Sequence, residues 1–257
     1  MTTTVYDRVN RLIATDSRWS RKLDEFGYIG HIAYVDDTGF GKISTRDDHV
    51  LTLAGNGLLI QHWKEWWTGD LSLPRPPILI NGEEAISLHI VKMSDNSIIF
   101  DIGEKLAAQN VDDEDNKVIN AVFAGSGAIY AGGVWLKTGC ARTAIEEAKS
   151  RDICTGGDVR YVDFSSGQQN IESEKHLISD VNDALLQKGM IMDTNNPLSQ
   201  PVPITEQEVS HIRQLITNGG ITPCAPTGGR AVVWDSRAIA RLDAAIDSIR
   251  NDEAKKK

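Results

Sequence analysis

A threonine stands at position 2, in the run Met1-Thr2-Thr3-Thr4-Val5. Once Met1 is removed, Thr2 carries a free α-amine beside its own hydroxyl, a nucleophile and a base within one residue. The hydroxyl is a poor nucleophile at neutral pH, whereas an α-amine titrates near ~7.7–8.0 and can take its proton. Threonine is small enough to permit Met removal, so the expectation is that no propeptide is needed. Read alone, the same run is a polar, frayed terminus. Other chemistry-bearing groups share this ambiguity. Asp16-Ser17-Arg18 reads as a buried charge network or a polar turn. Lys42 reads as an electrostatic activator of a nearby hydroxyl or as a solvated lysine. Gly125-Ser126-Gly127 lets backbone approach another group closely. It lacks the Gly-Lys-Ser/Thr ending of a phosphate loop, so nucleotide binding is discounted. Asp152 and Thr155, ahead of Gly156-Gly157, also fit ordinary helix-end chemistry.

Composition removes several function classes. A chain of 257 residues with 40% hydrophobic content can bury a sizeable core. Its net charge of −9 disfavours a general nucleic-acid partner. No apolar run is long enough to span a membrane, and no basic-then-apolar segment marks a signal peptide, so a cytoplasmic protein is expected. The cysteines Cys140, Cys154 and Cys224 are scattered and odd in number, which gives no disulfide framework. The histidines show no HxxxH spacing, so no metal is expected.

The elements that must position these groups read as strands first. Val5 to Thr15 forms two short strands turning near Val9-Asn10-Arg11. Gly27 to Tyr34 and Gly41 to Ser44 are extended pieces, and His49 to Gly55 is a buried strand. Gly57 to Thr68 repeats apolar residues at helical spacing. Ile86 to Val91 and Ser97 to Ile102 pair across a turn, and Ile119 to Ala124 is another strand. Two helices broken near Gly139 run to Ser150, and Val159 to Phe164 returns to strand. Beyond Ser165 the spacing predicts helices over Ile171–Lys188 and Thr205–Thr217. A Gly- and Pro-rich irregular stretch follows from Gly219 to Gly229, then a strand at Ala231–Trp234. A final helix capped by Asp235 runs to about Ile249. The order points to stacked sheets covered by helices rather than a βαβ repeat.

Taken together and in this order, several patches resemble a proteasome β-type subunit, the threonine-peptidase branch of the N-terminal nucleophile hydrolases. They are Thr2-Thr3-Thr4-Val5, Leu12-Ile13-Ala14-Thr15-Asp16-Ser17-Arg18, Lys42-Ile43, Leu53-Ala54-Gly55, Phe123-Ala124-Gly125-Ser126-Gly127, and Arg151-Asp152 with Thr155-Gly156-Gly157. The resemblance covers residues 2 to 165. It implies an α+β fold, the four-layer αββα sandwich of that superfamily, as a domain over 1–165 followed by a mostly helical C-terminal extension over 166–257.

The resemblance also implies roles. Thr2 would be the nucleophile, with its α-amine as proton acceptor. Lys42 would favour deprotonation of the hydroxyl, Asp16 would hold Lys42, and the Gly55 N–H would serve as oxyanion donor. Ser126, Asp152 and Thr155 would surround the α-amine. Thr155 stands where the family usually has serine. Trp19, Phe40 and Leu53 would fall near an apolar pocket for the residue before the cut bond, and equally read as core. The family acts without a cofactor on unfolded polypeptide, inside a homo-oligomeric ring fed by an ATP-dependent unfoldase. The chain departs from the family in a longer stretch between Asp16 and Lys42, a shorter one between Gly55 and Gly125, Asn56 in place of a smaller residue, and a last third without counterpart. These departures leave open a non-proteolytic scaffold of the same fold, or an amidohydrolase acting on a small amide.

Overall fold

The computed structural model describes residues 2–256 except 81–82, 85, 104, 113, 197–198 and 228–231. The fate of Met1 and the start of the strand expected at Ala231 therefore lie outside the described residues, as does the end of the Gly- and Pro-rich stretch. In chain order, strands β1 (Thr3–Asp7), β2 (Leu12–Asp16), β3 (Trp19–Lys22), β4 (His31–Val35), β5 (Ile43–Arg46) and β6 (His49–Asn56) come first. Helix α1 (Gly57–Thr68) leads to β7 (Leu79–Ile80), β8 (Glu83–Glu84), β9 (Ile86–Lys92), β10 (Ser97–Asp101), β11 (Lys105–Val111) and β12 (Lys117–Gly125). Helices α2 (Ala128–Thr138) and α3 (Ala141–Ala148) precede β13 (Val159–Asp163). The last third holds α4 (Ile178–Lys188), β14 (Met190–Asp193), β15 (Val202–Pro203), α5 (Ser210–Thr217), β16 (Cys224–Ala225) and α6 (Ser236–Ala254).

Two antiparallel sheets carry the molecule. One has the order β11-β12-β1-β2-β13, and the other β10-β9-β6-β16-β3-β4-β14-β15 with β5 also paired to β6. Alternation along the strands explains how the first sheet is covered on both faces. Val5, Leu12, Ala14, Ala121 and Phe123 pack against Ala131, Trp135, Ala144 and Ile145 of α2 and α3. Their neighbours Tyr6, Ile13, Val122 and Val162 point the other way and meet Ile43, Val50 and Val91 of the second sheet. Residues buried on both faces leave no polar positions in Leu12-Ile13-Ala14, which is why that strand reads as a continuous apolar run. The second sheet's far face joins the largest apolar cluster, where Trp63 and Trp67 of α1 meet Val181 and Leu185 of α4 and Leu242 and Ile246 of α6.

The last third thus shares its core with the second sheet and adds three short strands to it. Helix α6 is capped as expected, the Asp235 carboxylate accepting from the Ala238 N–H at 2.7 Å. Ala238, Leu242, Ala245, Ile246 and Ile249 form its buried stripe. Two helices begin later than their spacing predicts. Helix α4 starts at Ile178, because Asp180 accepts from the Leu177 N–H at 2.8 Å and caps the chain there. Residues 205–209 before α5 include only a single turn of tighter helix, Gln207–Val209. The described part of the strand expected at Ala231–Trp234 is irregular. Val232 is buried in the core without a ladder, Val233 is exposed, and the half-buried Trp234 donates from its indole to the Ile86 carbonyl at 3.0 Å. Conversely, Cys224–Ala225, inside the stretch expected to be irregular, is a strand.

Candidate active site

Thr2, Asp16 and Lys42 converge in the interior at the ends of their strands. β1 and β2 pair in the register Thr4↔Thr15, which brings the end of β2 beside the start of β1. Lys42 lies one residue ahead of β5, its backbone held by the Leu53 N–H donating to its carbonyl at 2.9 Å. The Lys42 ammonium donates to Thr2 Oγ1 at 2.7 Å and to Asp16 Oδ1 at 2.9 Å. Thr2 Oγ1 also donates to Asp16 Oδ1. The same carboxylate accepts from the Thr3 N–H at 2.9 Å, the Gly156 N–H at 3.1 Å and the Arg18 N–H at 3.2 Å. The Lys42–Asp16 pair is dry, with the two side chains 1% and 0% exposed. Burial pushes the Lys42 ammonium below the usual lysine range, and the Asp16 charge and hydrogen bond oppose that shift.

A second polar cluster lies one residue further along β1. Asp152 Oδ2 accepts from the Ser126 hydroxyl and, at 2.6 Å, from the Thr155 hydroxyl. Thr155 Oγ1 in turn stands 2.6 Å from Thr3 Oγ1. The β1–β12 register pairs Thr3 with Gly125 and so delivers Ser126 to this point. Gly125 has φ +89°, and a Cβ there would lie 1.7 Å from the Thr2 carbonyl oxygen, so only glycine fits. The loop carrying Asp152 and Thr155 is clamped by Arg18, which binds Asp36 through two bonds of 2.7 Å and the Ile153 carbonyl at 2.6 Å. The charge network expected at Asp16-Ser17-Arg18 therefore extends to Asp36, and through a 2.6 Å bond from Ser17 to Asp37. Asp36-Asp37 reads in the sequence only as a turn, since nothing in its type announces partners so distant in the chain.

Gly55 closes the other side. It sits near the end of β6 with φ +129°, opposite Ile86 of β9 and Ala225 of β16. Asn56 beside it caps α1, its side chain accepting from the Leu58 N–H at 2.9 Å. This gives Asn56 a structural role as the N-cap of α1. β16 bridges β6 and β3, with Cys224 opposite both Asn56 and Ser20. The Thr2 N–H, an amide while the bond before it is intact, donates to the Pro226 carbonyl at 3.2 Å. Sequence reading missed β16 altogether, because two residues between prolines carry no periodicity. Trp19, Phe40 and Leu53 are brought together in the largest apolar cluster. Trp19 stacks on Phe40 with ring centroids 5.2 Å apart and donates from its indole to the Phe40 carbonyl at 2.9 Å. Among the described residues no group of three or more His, Cys, Asp or Glu side chains could hold a metal ion. Nor is any helix among them long and apolar enough to cross a membrane.

The arrangement can polarise a hydroxyl between a buried cation and a buried carboxylate, with a glycine N–H and a hydroxyl–carboxylate cluster close by in the fold. No family model matches the sequence, and no curated protein matches it significantly. Solved structures align weakly. HslV of Trypanosoma brucei is 16% identical, over 62% of this chain and 97% of its own, with a TM-score of 0.35. BPH of Thiobacillus denitrificans, solved with epoxomicin, is 16% identical over 63% and 96%, with a TM-score of 0.33. The helical assembly of the Anbu complex of Pseudomonas aeruginosa is 14% identical over 84% and 93%, with a TM-score of 0.35. At these identities and TM-scores, none of the three assigns the chain to a family.

Proposed function

We propose that the chain is a threonine endopeptidase of the proteasome β type, with Thr2 as nucleophile once the bond before it is cleaved. The observation that carries this reading is the placement of Lys42 Nζ at 2.7 Å from Thr2 Oγ1 and 2.9 Å from Asp16. In this reading the freed α-amine of Thr2 takes the hydroxyl proton while the Lys42 ammonium stabilises the developing alkoxide. The alkoxide attacks a peptide carbonyl, and the oxyanion is held by the Gly55 N–H, a donor worth about 2.7–4 kcal/mol in such sites. The protonated α-amine then hands its proton to the departing amine, and water hydrolyses the ester left on Thr2. Ser126, Asp152 and Thr155 act through Thr3, fixing the strand that carries the amine.

The two facing sheets, with α2 and α3 on one side and α1 and α6 on the other, support the four-layer sandwich of the N-terminal nucleophile hydrolases. In the same reading Trp19, Phe40 and Leu53 wall an apolar pocket. A homo-oligomeric ring with an ATP-dependent unfoldase would supply unfolded polypeptide.

The test is intact mass of the purified protein together with cleavage of apolar fluorogenic peptides by wild type and Thr2→Ala. Loss of Met1 and hydrolysis that vanishes in Thr2→Ala are expected; equal activity in both sinks the reading. A second reading, a catalytically silent scaffold of the same fold, is favoured by the hydrogen bond that ties Thr2 N to Pro226. Retention of residue 1 in the mature protein would select it.

A further inference from the structure

The second sheet is continuous only because a piece of the last third completes it. β3 pairs with β4 on one side, and its other neighbour is β16; β6 meets β16 beyond the end of its pairing with β5. Without Cys224–Ala225, the two halves of that sheet would present facing, unpaired edges separated by one strand's width. Such a slot takes any extended polypeptide, because its backbone groups pair with whatever strand enters. The slot borders the candidate active site on both sides. Ala225 lies opposite Gly55, and the Pro226 carbonyl accepts from the Thr2 nitrogen at 3.2 Å.

We propose that this slot is the polypeptide-binding cleft and that residues 221–226 fill it as an internal strand, which must leave before a substrate enters. The proposal rests on the hydrolase reading for what the cleft serves, though not for what occupies it.

The segment's own chemistry fits a displaceable occupant. Pro223 and Pro226 have no N–H, so only Cys224 and Ala225 donate to the ladder between them. The strand is consequently two residues long. It is anchored by Ile221, buried at 1% exposure, and by the Arg21 guanidinium donating to Cys224 Sγ at 3.3 Å. A tethered occupant competes at an effective concentration on the order of millimolar, enough to hold the cleft shut with few bonds. The bond between Ala225 and Pro226 also lacks an N–H, which makes it a poor partner for a site built to cut ordinary peptide bonds.

Two variants test this. In Ser20→Cys, the new thiol stands opposite native Cys224, so mild oxidation should give a disulfide between positions 20 and 224, detectable by peptide mapping. Peptide cleavage should fall at least tenfold on oxidation and return on reduction. In Ala225→Glu, the strand should be expelled. A fluorescein-labelled peptide of sequence ITPCAPT should then bind at least about tenfold more tightly than to wild type, the penalty of a closed cleft having been removed. Far-ultraviolet circular dichroism checks that both variants are folded. Cross-linking and gain of peptide binding without any hydrolysis would uphold the internal strand and remove the peptidase reading. A folded Ser20→Cys variant that gives no cross-link overturns the proposal. So does a folded Ala225→Glu variant with unchanged peptide binding.

Discussion

Thr3 and Thr155, 152 positions apart in the chain, face each other through their hydroxyls at 2.6 Å. Asp152 accepts from Thr155 at 2.6 Å, so a buried carboxylate holds β1 at the point where it presents Thr2. A hydroxyl is the group this position needs, and a methyl is incidental. Thr155→Ser is therefore expected to keep cleavage within about threefold of wild type, while Thr155→Val, which keeps the shape and loses the hydroxyl, should lower kcat about tenfold or more through loss of one charge-assisted hydrogen bond. Steady-state kinetics on a fluorogenic peptide separates the two.

Lys42 and Asp16 form a fully buried ion pair, and breaking such a pair strands the remaining charge. Lys42→Met is expected to destabilise the fold by about 3–5 kcal/mol in urea unfolding and to lower cleavage by about 10²–10⁴-fold. Adding Asp16→Asn should restore much of the stability and none of the activity. That split, read from a double-mutant cycle, distinguishes a chemical role from a purely structural one.

His89 lies between the sheets with its ring 5.5 Å from Tyr6. Burial, with a smaller contribution from the Lys105 cation and against the Asp101 carboxylate, pushes its pKa down to about 3. An unfolded histidine titrates near ~6.5, so between about pH 6.5 and pH 3 the unfolded chain binds a proton that the folded one refuses. Stability should fall as pH drops through that window, by at most about 1.4 kcal/mol per pH unit from this group. His89→Gln should flatten the slope, as read from urea midpoints taken at pH 7, 6 and 5.

Asn56 caps α1 through its side-chain oxygen. Asn56→Ala is expected to lower stability by about 1 kcal/mol, and the melting temperature by roughly 2–4 °C. Asn56→Asp, which keeps the acceptor, should hold both near wild type. Differential scanning calorimetry checks the pair.

The candidate site was legible where side-chain type and chain order carry the information. Thr2, Asp16 and Lys42 lie together, a grouping that only the resemblance implies, and α1, β9, β10, β12 and α6 follow from apolar period and capping. What escaped the sequence has a common physical origin. Asp36 and Asp37 look like turn residues until folding brings Arg18 and Ser17 to them. β11 alternates too little to read as a strand because most of its residues are exposed. β16 is defined wholly by its neighbours, and Val232 and Trp234 are held by side-chain anchoring, Val232 buried and Trp234 half-buried, where their composition imitates a strand. Long-range pairing, unlike local propensity, leaves little trace in a window of a few residues.

The register Thr3↔Gly125 also sets a clock on biosynthesis. β1 is translated well before the strand that pairs with its Thr3, which is completed only at Gly125. At synthesis rates of about 5–20 residues per second, β1 waits several seconds for that partner. After that it is sealed, Thr2 retaining 1% of its exposure. Cleavage of the bond before Thr2 therefore has a brief early interval in which to occur, and under the proposed mechanism a chain that folds first keeps its Thr2 nitrogen as an amide.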